Sequence, residues 1–148
     1  MEYYGNQSLL SLPKTAFLAS NTIPVEMVLK CYDWASQMRD EGRCVISGFS
    51  SRLEKDVWNL LKDGTQPIIL VLAREMYKRI PPELQQLIDS GRLLIISTSS
   101  ASRQSKDSAS QRNQYVCEQA EKILLIGATK TSSLFPLAVK FKDRVISI

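Results

Sequence analysis

The sequence predicts an α/β fold of three layers, with a doubly wound, mainly parallel sheet of about six strands. Runs such as PIILVLA at residues 67–73, LLII at 93–96 and ILLI at 123–126 are almost continuously apolar, as in strands that are buried on both faces. Stretches with apolar residues at three- and four-residue spacing lie between these runs and predict helices. Glycine or proline stands at several of the junctions. Alternating strands and helices of this kind form a parallel sheet covered on both sides.

The elements are expected in alternation along one domain, residues 1–148. Residues 1–14 are interpreted as a lead, with a turn at Gly5-Asn6 and an apolar anchor at Leu9-Leu10. The strands are expected at residues 15–18, 44–46, 67–73, 93–96, 123–126 and 145–148, and the helices at about 24–41, 52–63, 81–90, 111–121 and 132–141. Residues 97–110, STSSASRQSKDSAS, are dominated by serine and predict a flexible loop.

Composition narrows the classes of function. The chain has 148 residues, 44% apolar and 23% charged, as is typical of one globular domain. No apolar run is long enough to span a membrane and no signal peptide is recognisable, so we expect a cytoplasmic protein. Cys31, Cys44 and Cys117 are scattered and form no C-x-x-C pair, which argues against a disulfide framework or a zinc site. We expect Cys31 and Cys44 to be core residues.

The absence of histidine restricts the chemistry further. Histidine is the commonest general base and metal ligand, and it activates most serine and cysteine nucleophiles. We therefore expect no catalytic residues, no metal and no cofactor. The net charge of +4 permits a polyanionic partner without requiring one.

The stretch CVISGFSSRLEKD, residues 44–56, carries the strongest local signal. A buried strand ends in a Gly/Ser turn and a helix follows, an arrangement whose free N–H groups and helix dipole can bind an anion. Ser47, Gly48, Ser50, Ser51 and Arg52 are the candidate ligands. The alternative is that Ser51 and Glu54 form a capping box, which satisfies the start of the helix without any ligand.

Other polar segments are expected at the same edge of the sheet, because the carboxyl ends of parallel strands meet there. Ser20 and Asn21 follow the first predicted strand, and the serine-rich loop contributes Arg103 and Lys106. Lys130, Thr131, Ser132 and Ser133 precede the last helix and form either a second anion site or an ordinary helix cap. An edge rich in hydroxyls, amides and cations fits a phosphate-bearing ligand better than a metal or a sugar.

Several segments follow one another in the order of a known family. They are Gly5-Asn6 with Leu9-Leu10 (family pattern G-N-x-x-L-L), FLASN at residues 17–21 (first strand and V-G-S-R), SGFSSRLE at 47–54 (S-G-x-A-x-G-I-D), IPPEL at 80–84, GRLLIIS at 91–97, Arg112-Asn113 (R-N-R) and KTSSL at 130–134 (K-S-G-S-L). Together they resemble the Rossmann-like core of the bacterial DNA-processing protein A (DprA/Smf) family. That family is a branch of a wider group that includes lysine-decarboxylase-like nucleotide hydrolases.

The resemblance implies a three-layer Rossmann-like core that binds single-stranded DNA, forms homodimers and assists a RecA-type recombinase in DNA uptake and transformation. It also implies that Arg112 and Asn113 hold phosphate oxygens; the alternative is a solvated charge beside a helix cap. The chain departs from the family patterns, with Asn21 and Gln114 in place of arginines, Arg52 and Ser132 in place of glycines, and about Gly127 in place of an acidic residue. It also ends at its last predicted strand. We therefore expect a diverged, single-domain relative without the winged-helix domain that many members carry.

Three hypotheses of function follow. The first is a non-enzymatic protein that binds single-stranded DNA. The second is a sensor or hydrolase of a small nucleotide, although the chain lacks the glycine-rich hydrolase motif of the related group and its carboxylate. The third is a structural module that binds no nucleic acid and acts through protein contacts.

Overall fold

Seven strands form one twisted sheet in the computed structural model, which describes residues 1–148. The strands are β1 Glu2–Gly5, β2 Lys14–Ala19, β3 Cys44–Ser47, β4 Ile68–Leu72, β5 Leu93–Ser97, β6 Lys122–Ile126 and β7 Val145–Ile146. The helices are α1 Val25–Asp40, α2 Arg52–Leu61, α3 Pro82–Asp89, α4 Lys106–Gln119 and α5 Phe135–Lys140, and a 3₁₀ helix spans Gln7–Ser11. No helix is both long enough and apolar enough to cross a membrane.

The sheet is doubly wound, in the order β1-β5-β4-β3-β2-β6-β7. All neighbouring strands are parallel except β1, which pairs antiparallel with β5. From β2 the chain progresses outward through β3, β4 and β5, and then returns to place β6 on the other side of β2. The direction of winding therefore reverses between β2 and β6, and ligands of such folds bind at the carboxyl ends of the strands at this point.

Two apolar clusters, one on each face of the sheet, hold the three layers together. The first contains residues of α1, α2 and α3, such as Trp34, whose ring stacks on Phe17 of β2 at a centroid distance of 5.3 Å. The second contains residues of the 3₁₀ helix, α4 and α5. The three cysteines are buried in these clusters, and burial raises the pKa of Cys31 to about 11 and those of Cys44 and Cys117 to about 12. They are therefore neutral core residues at physiological pH.

The structure confirms the predicted fold class and corrects the number of strands from six to seven. The additional strand, β1, lies in the segment interpreted as a lead. All four of its residues are exposed, so it lacks the apolar alternation that reveals a strand in a sequence. It is held instead by its register with β5, in which Tyr3 pairs with Ile96, and by Asn6, whose Nδ2 donates to the carbonyl of Gly91 at 2.8 Å.

The predicted loop at residues 97–110 is wrong at both ends. Ser97 belongs to β5, and α4 begins at Lys106. Ser105 and Ser108 form a reciprocal cap, in which each side-chain oxygen accepts a hydrogen bond from the backbone N–H of the other, at 3.0 and 2.8 Å. Two of the serines that indicated a loop therefore start a helix. At the other end of the chain, α5 and β7 are shorter than predicted.

Glu54 connects two of the loops at the carboxyl edge of the sheet. Its side chain is buried, and Oε1 accepts hydrogen bonds from the backbone N–H groups of Ser50 and Ser51 at 2.9 and 3.3 Å. Oε2 accepts a third, from the N–H of Ala19 at the end of β2, at 3.0 Å. Ser51 in turn caps the N–H of Glu54, so the predicted capping box is present. One carboxylate thus fixes the start of α2 against the end of β2.

We expect Glu54→Gln to lower the free energy of unfolding by roughly 1–3 kcal/mol. An amide retains one acceptor oxygen and presents an NH₂ group to an N–H donor, so at least one buried N–H loses its partner. Urea unfolding followed by circular dichroism measures the change. Glu121→Gln is the matched control, because Glu121 is exposed and makes no side-chain hydrogen bond. Equal stability of the two variants would contradict the role assigned to Glu54.

Candidate anion-binding cleft

A cleft of about 550 Å³ opens at the carboxyl edge of the sheet, where the direction of winding reverses. Four parts of the chain line it: the loops after β2, β3 and β6, and the first turns of α4 together with Gln104, two residues before the helix. Most of its lining residues carry hydroxyl or carboxamide groups, and only a few are apolar. Segments that are distant in sequence and were predicted at this edge therefore meet in the cleft, although Arg103 and Lys106 of the serine-rich loop do not line it.

Arg112 of α4 is the cation of the cleft, and its side chain is only 3% exposed. Its guanidinium donates three hydrogen bonds: Nε to Oδ1 of Asn113 at 2.8 Å, Nη1 to the carbonyl of Val71 at 3.3 Å, and Nη2 to Oγ of Ser50 at 3.1 Å. All three acceptors are neutral. A guanidinium has five N–H donors, so two of them have no acceptor in the protein.

No carboxylate lies within 4.0 Å of this guanidinium. Burial lowers the pKa of Arg112, and the charge of nearby Glu54 raises it. An arginine stays protonated in proteins even so, because its ordinary pKa is far above neutrality. The cleft therefore contains a buried positive charge that is not neutralised by direct contact.

Glu54 also lines the cleft and changes the predicted helix-start site. In an anion site of that type, the first N–H groups of the helix point at the ligand. Here the N–H groups of Ser50 and Ser51 point at the carboxylate of Glu54, which already occupies the place of an anion. The hydroxyls of these two serines lie in the cleft, whereas their backbone N–H groups are not available to a ligand.

The turn between β3 and α2 is shaped around Arg112. Gly48 has no side chain, and a Cβ at this position would overlap the guanidinium. Phe49 has φ = 48°, a left-handed conformation that costs a non-glycine residue about 1–3 kcal/mol. It is held there by Oγ of Ser47, which accepts from its N–H at 3.0 Å, and by the edge-on packing of its ring on Trp58. Such retained strain is common at ligand sites.

The loop after β6 forms the opposite wall with hydroxyls. Gly127, with φ = 78°, lies against Ser20, and a Cβ at this glycine would overlap the serine hydroxyl. Thr131, Ser132 and Ser133 line the cleft. The predicted helix start at 132–133 is wrong, because α5 begins at Phe135 and Oγ of Ser132 accepts from the N–H of Leu134 within the loop.

The structure therefore brings most of the predicted site residues together. The residues that line the cleft are Ser20, Asn21, Ser50, Ser51, Arg112, Asn113, Thr131, Ser132 and Ser133. Gly48 leaves the space that the guanidinium of Arg112 occupies, and Ser47 is fully buried. Arg52 lines a separate, smaller hollow beside α1, and Lys130 is exposed outside the cleft. Neither of these two cations contributes to the cleft wall.

Four polar residues of the cleft were not among the predicted ligands: Thr22, Glu54, Gln104 and Thr129. Thr22 and Thr129 each lie next to a predicted site residue in the sequence. Including one more residue at each of these strand ends would have predicted them. Gln104 lies before α4, in a segment that the sequence predicts as a flexible loop, so the sequence gives no reason to place it in the cleft. A second hollow of about 550 Å³ adjoins the cleft and shares Asn21, Gln104 and Asn113 with it. No group of three or more acidic or cysteine side chains is placed to hold a metal ion.

No model of a protein family matches the sequence, and no curated protein matches it. Solved structures do match its fold. DNA processing protein A from Helicobacter pylori, described for its single-stranded DNA binding mode, aligns with 97% of this chain and 68% of its own, with a TM-score of 0.74 and 17% identity. DNA processing protein A (DprA) from Streptococcus pneumoniae aligns with 97% of this chain at a TM-score of 0.75 and 17% identity.

The chain spans about half of the S. pneumoniae protein, since 52% of that protein is covered. The molybdenum cofactor carrier protein from Chlamydomonas reinhardtii is a further neighbour, with a TM-score of 0.47 and 10% identity. At these identities the likeness establishes the fold alone. The chain has the Rossmann-like three-layer α/β fold that is also found in DNA processing protein A.

Proposed function

We propose that the cleft binds the phosphate backbone of single-stranded DNA and that the protein acts as a binder and not as an enzyme. One observation carries the proposal: Arg112 is a buried cation at the cleft wall with no carboxylate within 4.0 Å. Burying a charge without a partner is costly, and proteins seldom retain it without a use. A phosphate oxygen in the cleft would supply the missing negative charge.

The groups around Arg112 fit a phosphodiester. Hydroxyls of Ser50, Ser51 and Ser132 and the amide of Asn113 offer neutral hydrogen-bond donors. Neutral donors with a single cation suit one phosphate of a strand, which carries one negative charge. The carboxylate of Glu54 would repel a ligand of higher charge, such as a polyphosphate. Its own hydrogen bonds to three N–H groups keep it fixed away from the guanidinium.

The fold, in addition to the cleft, supports single-stranded DNA as the ligand. The H. pylori protein that shares this fold is described as binding single-stranded DNA. The sequence motifs that resemble the DprA family coincide with cleft residues, among them Ser50, Arg112 and Asn113. A role in DNA recombination and transformation in bacteria, a homodimer and a RecA-type partner are the finer parts of this proposal, and they rest on the resemblance.

A small nucleotide is the second candidate, because the volume of the cleft favours it. About 550 Å³ lies within the range of roughly 300–1,000 Å³ that is typical of small-molecule sites. A sensor of a nucleoside monophosphate would use Arg112 in the same way. The two candidates differ in how binding depends on the length of the ligand and on salt.

We expect Arg112→Gln to weaken binding of a labelled single-stranded oligonucleotide by about 10- to 100-fold, because a charge-assisted hydrogen bond contributes about 1.5–3 kcal/mol. Fluorescence anisotropy at low and moderate salt measures the change. Lys142→Gln is the control: it removes one positive charge from an exposed residue that forms no ion pair. An unchanged affinity of the folded Arg112 variant would contradict the proposal, as would absence of binding by the native protein at low salt.

We expect Gly48→Ala to weaken DNA binding to a similar degree without changing the charge of the protein, because its methyl group displaces the guanidinium. The same anisotropy titration applies, with circular dichroism to confirm folding. The double variant with Arg112→Gln is the decisive comparison. Two changes that act through one group are not additive, so the double variant should bind no more weakly than either single variant. Additive losses would show that Gly48 acts independently of Arg112.

A thermal-shift titration distinguishes the second candidate. If the ligand is a DNA strand, nucleoside monophosphates at millimolar concentration should leave the melting temperature unchanged, while a saturating oligonucleotide raises it by mass action. A monophosphate that stabilises the native protein, but not Arg112→Gln, would instead support the nucleotide sensor. Release of free base or inorganic phosphate from the nucleotide during incubation would contradict the proposal that the protein is not an enzyme.

A further inference from the structure

We propose that the DNA strand extends from the cleft onto a neighbouring surface, the basic edge, formed by residues 73–81 after β4 and 98–106 after β5. This inference rests on the proposed function and specifies its ligand as an extended strand. Apart from Gln104, its residues lie outside the cleft.

Positive charge is concentrated on the basic edge. Its two segments contain five basic residues, Arg74, Lys78, Arg79, Arg103 and Lys106, and one acidic residue, Glu75. With the adjacent exposed Asp107 included, the local charge is still +3, most of the net charge of +4 of the entire chain. A local excess of this kind attracts a polyanion to one face of the molecule.

Most of these cations are available. Lys78, Arg79, Arg103 and Lys106 are exposed. No carboxylate lies within 4.0 Å of Arg79, Arg103 or Lys106, and Nζ of Lys78 is 4.0 Å from Glu75. Elsewhere, Arg39, Arg43 and Lys62 form ion pairs at 3.0–3.1 Å, whereas single exposed lysines such as Lys30, Lys122 and Lys142 have no carboxylate within 4.0 Å. The basic edge differs in grouping its cations on two adjoining segments. Cations without partners can exchange their counterions for phosphates.

The two segments are bonded to each other and form one surface. The N–H of Glu75 donates to the carbonyl of Ala101 at 2.7 Å. The adjacent strand ends add to this contact, with Oγ of Ser97 in β5 donating to the carbonyl of Arg74 at 2.6 Å. Thr98 donates twice to the carbonyl of Leu72, through its N–H at 3.0 Å and its hydroxyl at 2.8 Å. Arg74, Lys78, Arg79 and Arg103 are therefore held on loops of defined geometry, and Lys106 on the first turn of α4.

Arg74 is fixed further by an aromatic ring. Its Cζ lies 4.5 Å from the centroid of the Tyr77 ring, and Nη1 donates to the carbonyl of Glu75 at 3.2 Å. Tyr77 is half-buried and packs against the core cluster of that face. The ring therefore holds the guanidinium in place through a cation–π contact.

The basic edge is continuous with the cleft. Nη1 of Arg112 donates to the carbonyl of Val71, next to the end of β4, from which residues 73–81 begin. Gln104, which lies within residues 98–106, lines both the cleft and the adjoining hollow. A strand with one phosphate at Arg112 can thus place its following phosphates along this edge. A mononucleotide cannot use both surfaces.

The test uses the full chain and two triple variants of equal charge. The first carries Lys78→Gln, Arg79→Gln and Arg103→Gln, and the control carries Lys30→Gln, Lys122→Gln and Lys142→Gln, all exposed residues away from the edge. Affinities for single-stranded oligonucleotides of about 4 and about 16 nucleotides, which span known site sizes, are measured over a range of salt concentrations. Arg112→Gln is titrated in parallel.

We expect native protein and control to bind the longer strand more tightly than the shorter one, and the edge variant to lose this gain. The slope of log K against log salt should become shallower by about 2 in the edge variant, since each phosphate contributes about 0.7 for a single strand. If edge variant and control have the same slope, the inference is overturned, while the cleft proposal stands as long as Arg112→Gln binds weakly. If the native protein binds neither oligonucleotide, both are overturned.

Discussion

The arrangement of the carboxyl edge depends on one buried carboxylate. Glu54 accepts hydrogen bonds from the N–H groups of Ala19, Ser50 and Ser51, so the end of the central strand β2 and the start of α2 are held in one position. The same bonds use the N–H groups with which a helix start would bind an anion. The protein has therefore stabilised this turn internally, and any positive charge offered to a ligand must come from another element.

That element is α4, which crosses behind the same turn. Gly48 leaves the space into which the guanidinium of Arg112 fits, and Ser50 accepts from its Nη2. Glu54 and Arg112 thus lie at one cleft without forming an ion pair within 4.0 Å. A direct pair would neutralise the site. With the two charges kept apart, the positive charge of Arg112 is not neutralised and two of its N–H donors have no acceptor in the protein, at the cost of burying both charges.

Features that neighbouring residues determine can be predicted from the sequence, whereas features that depend on contacts between distant residues cannot. The apolar runs of β4, β5 and β6 and the capping box at Ser51 are readable because neighbouring residues alone decide them. The strand β1 carries no pattern, since its exposed residues are ordered by pairing with β5. The burial of Arg112 is equally hidden. The family resemblance predicts Arg112 as a phosphate ligand, but its position in α4 gives no sign of burial, which comes from its packing against Gly48.

The distribution of charge separates the two candidate ligands more sharply than the cleft does. One cation in the cleft is sufficient to bind a nucleotide, and nucleotide binding does not require positive charge on loops outside the cleft. Yet most of the formal excess of positive charge lies on the two segments next to the cleft, and Arg79, Arg103 and Lys106 there have no carboxylate within 4.0 Å. Uncompensated like charges on adjoining loops repel one another and weakly destabilise the fold. A long anion that lies across both loops removes that repulsion, and a mononucleotide in the cleft leaves it in place.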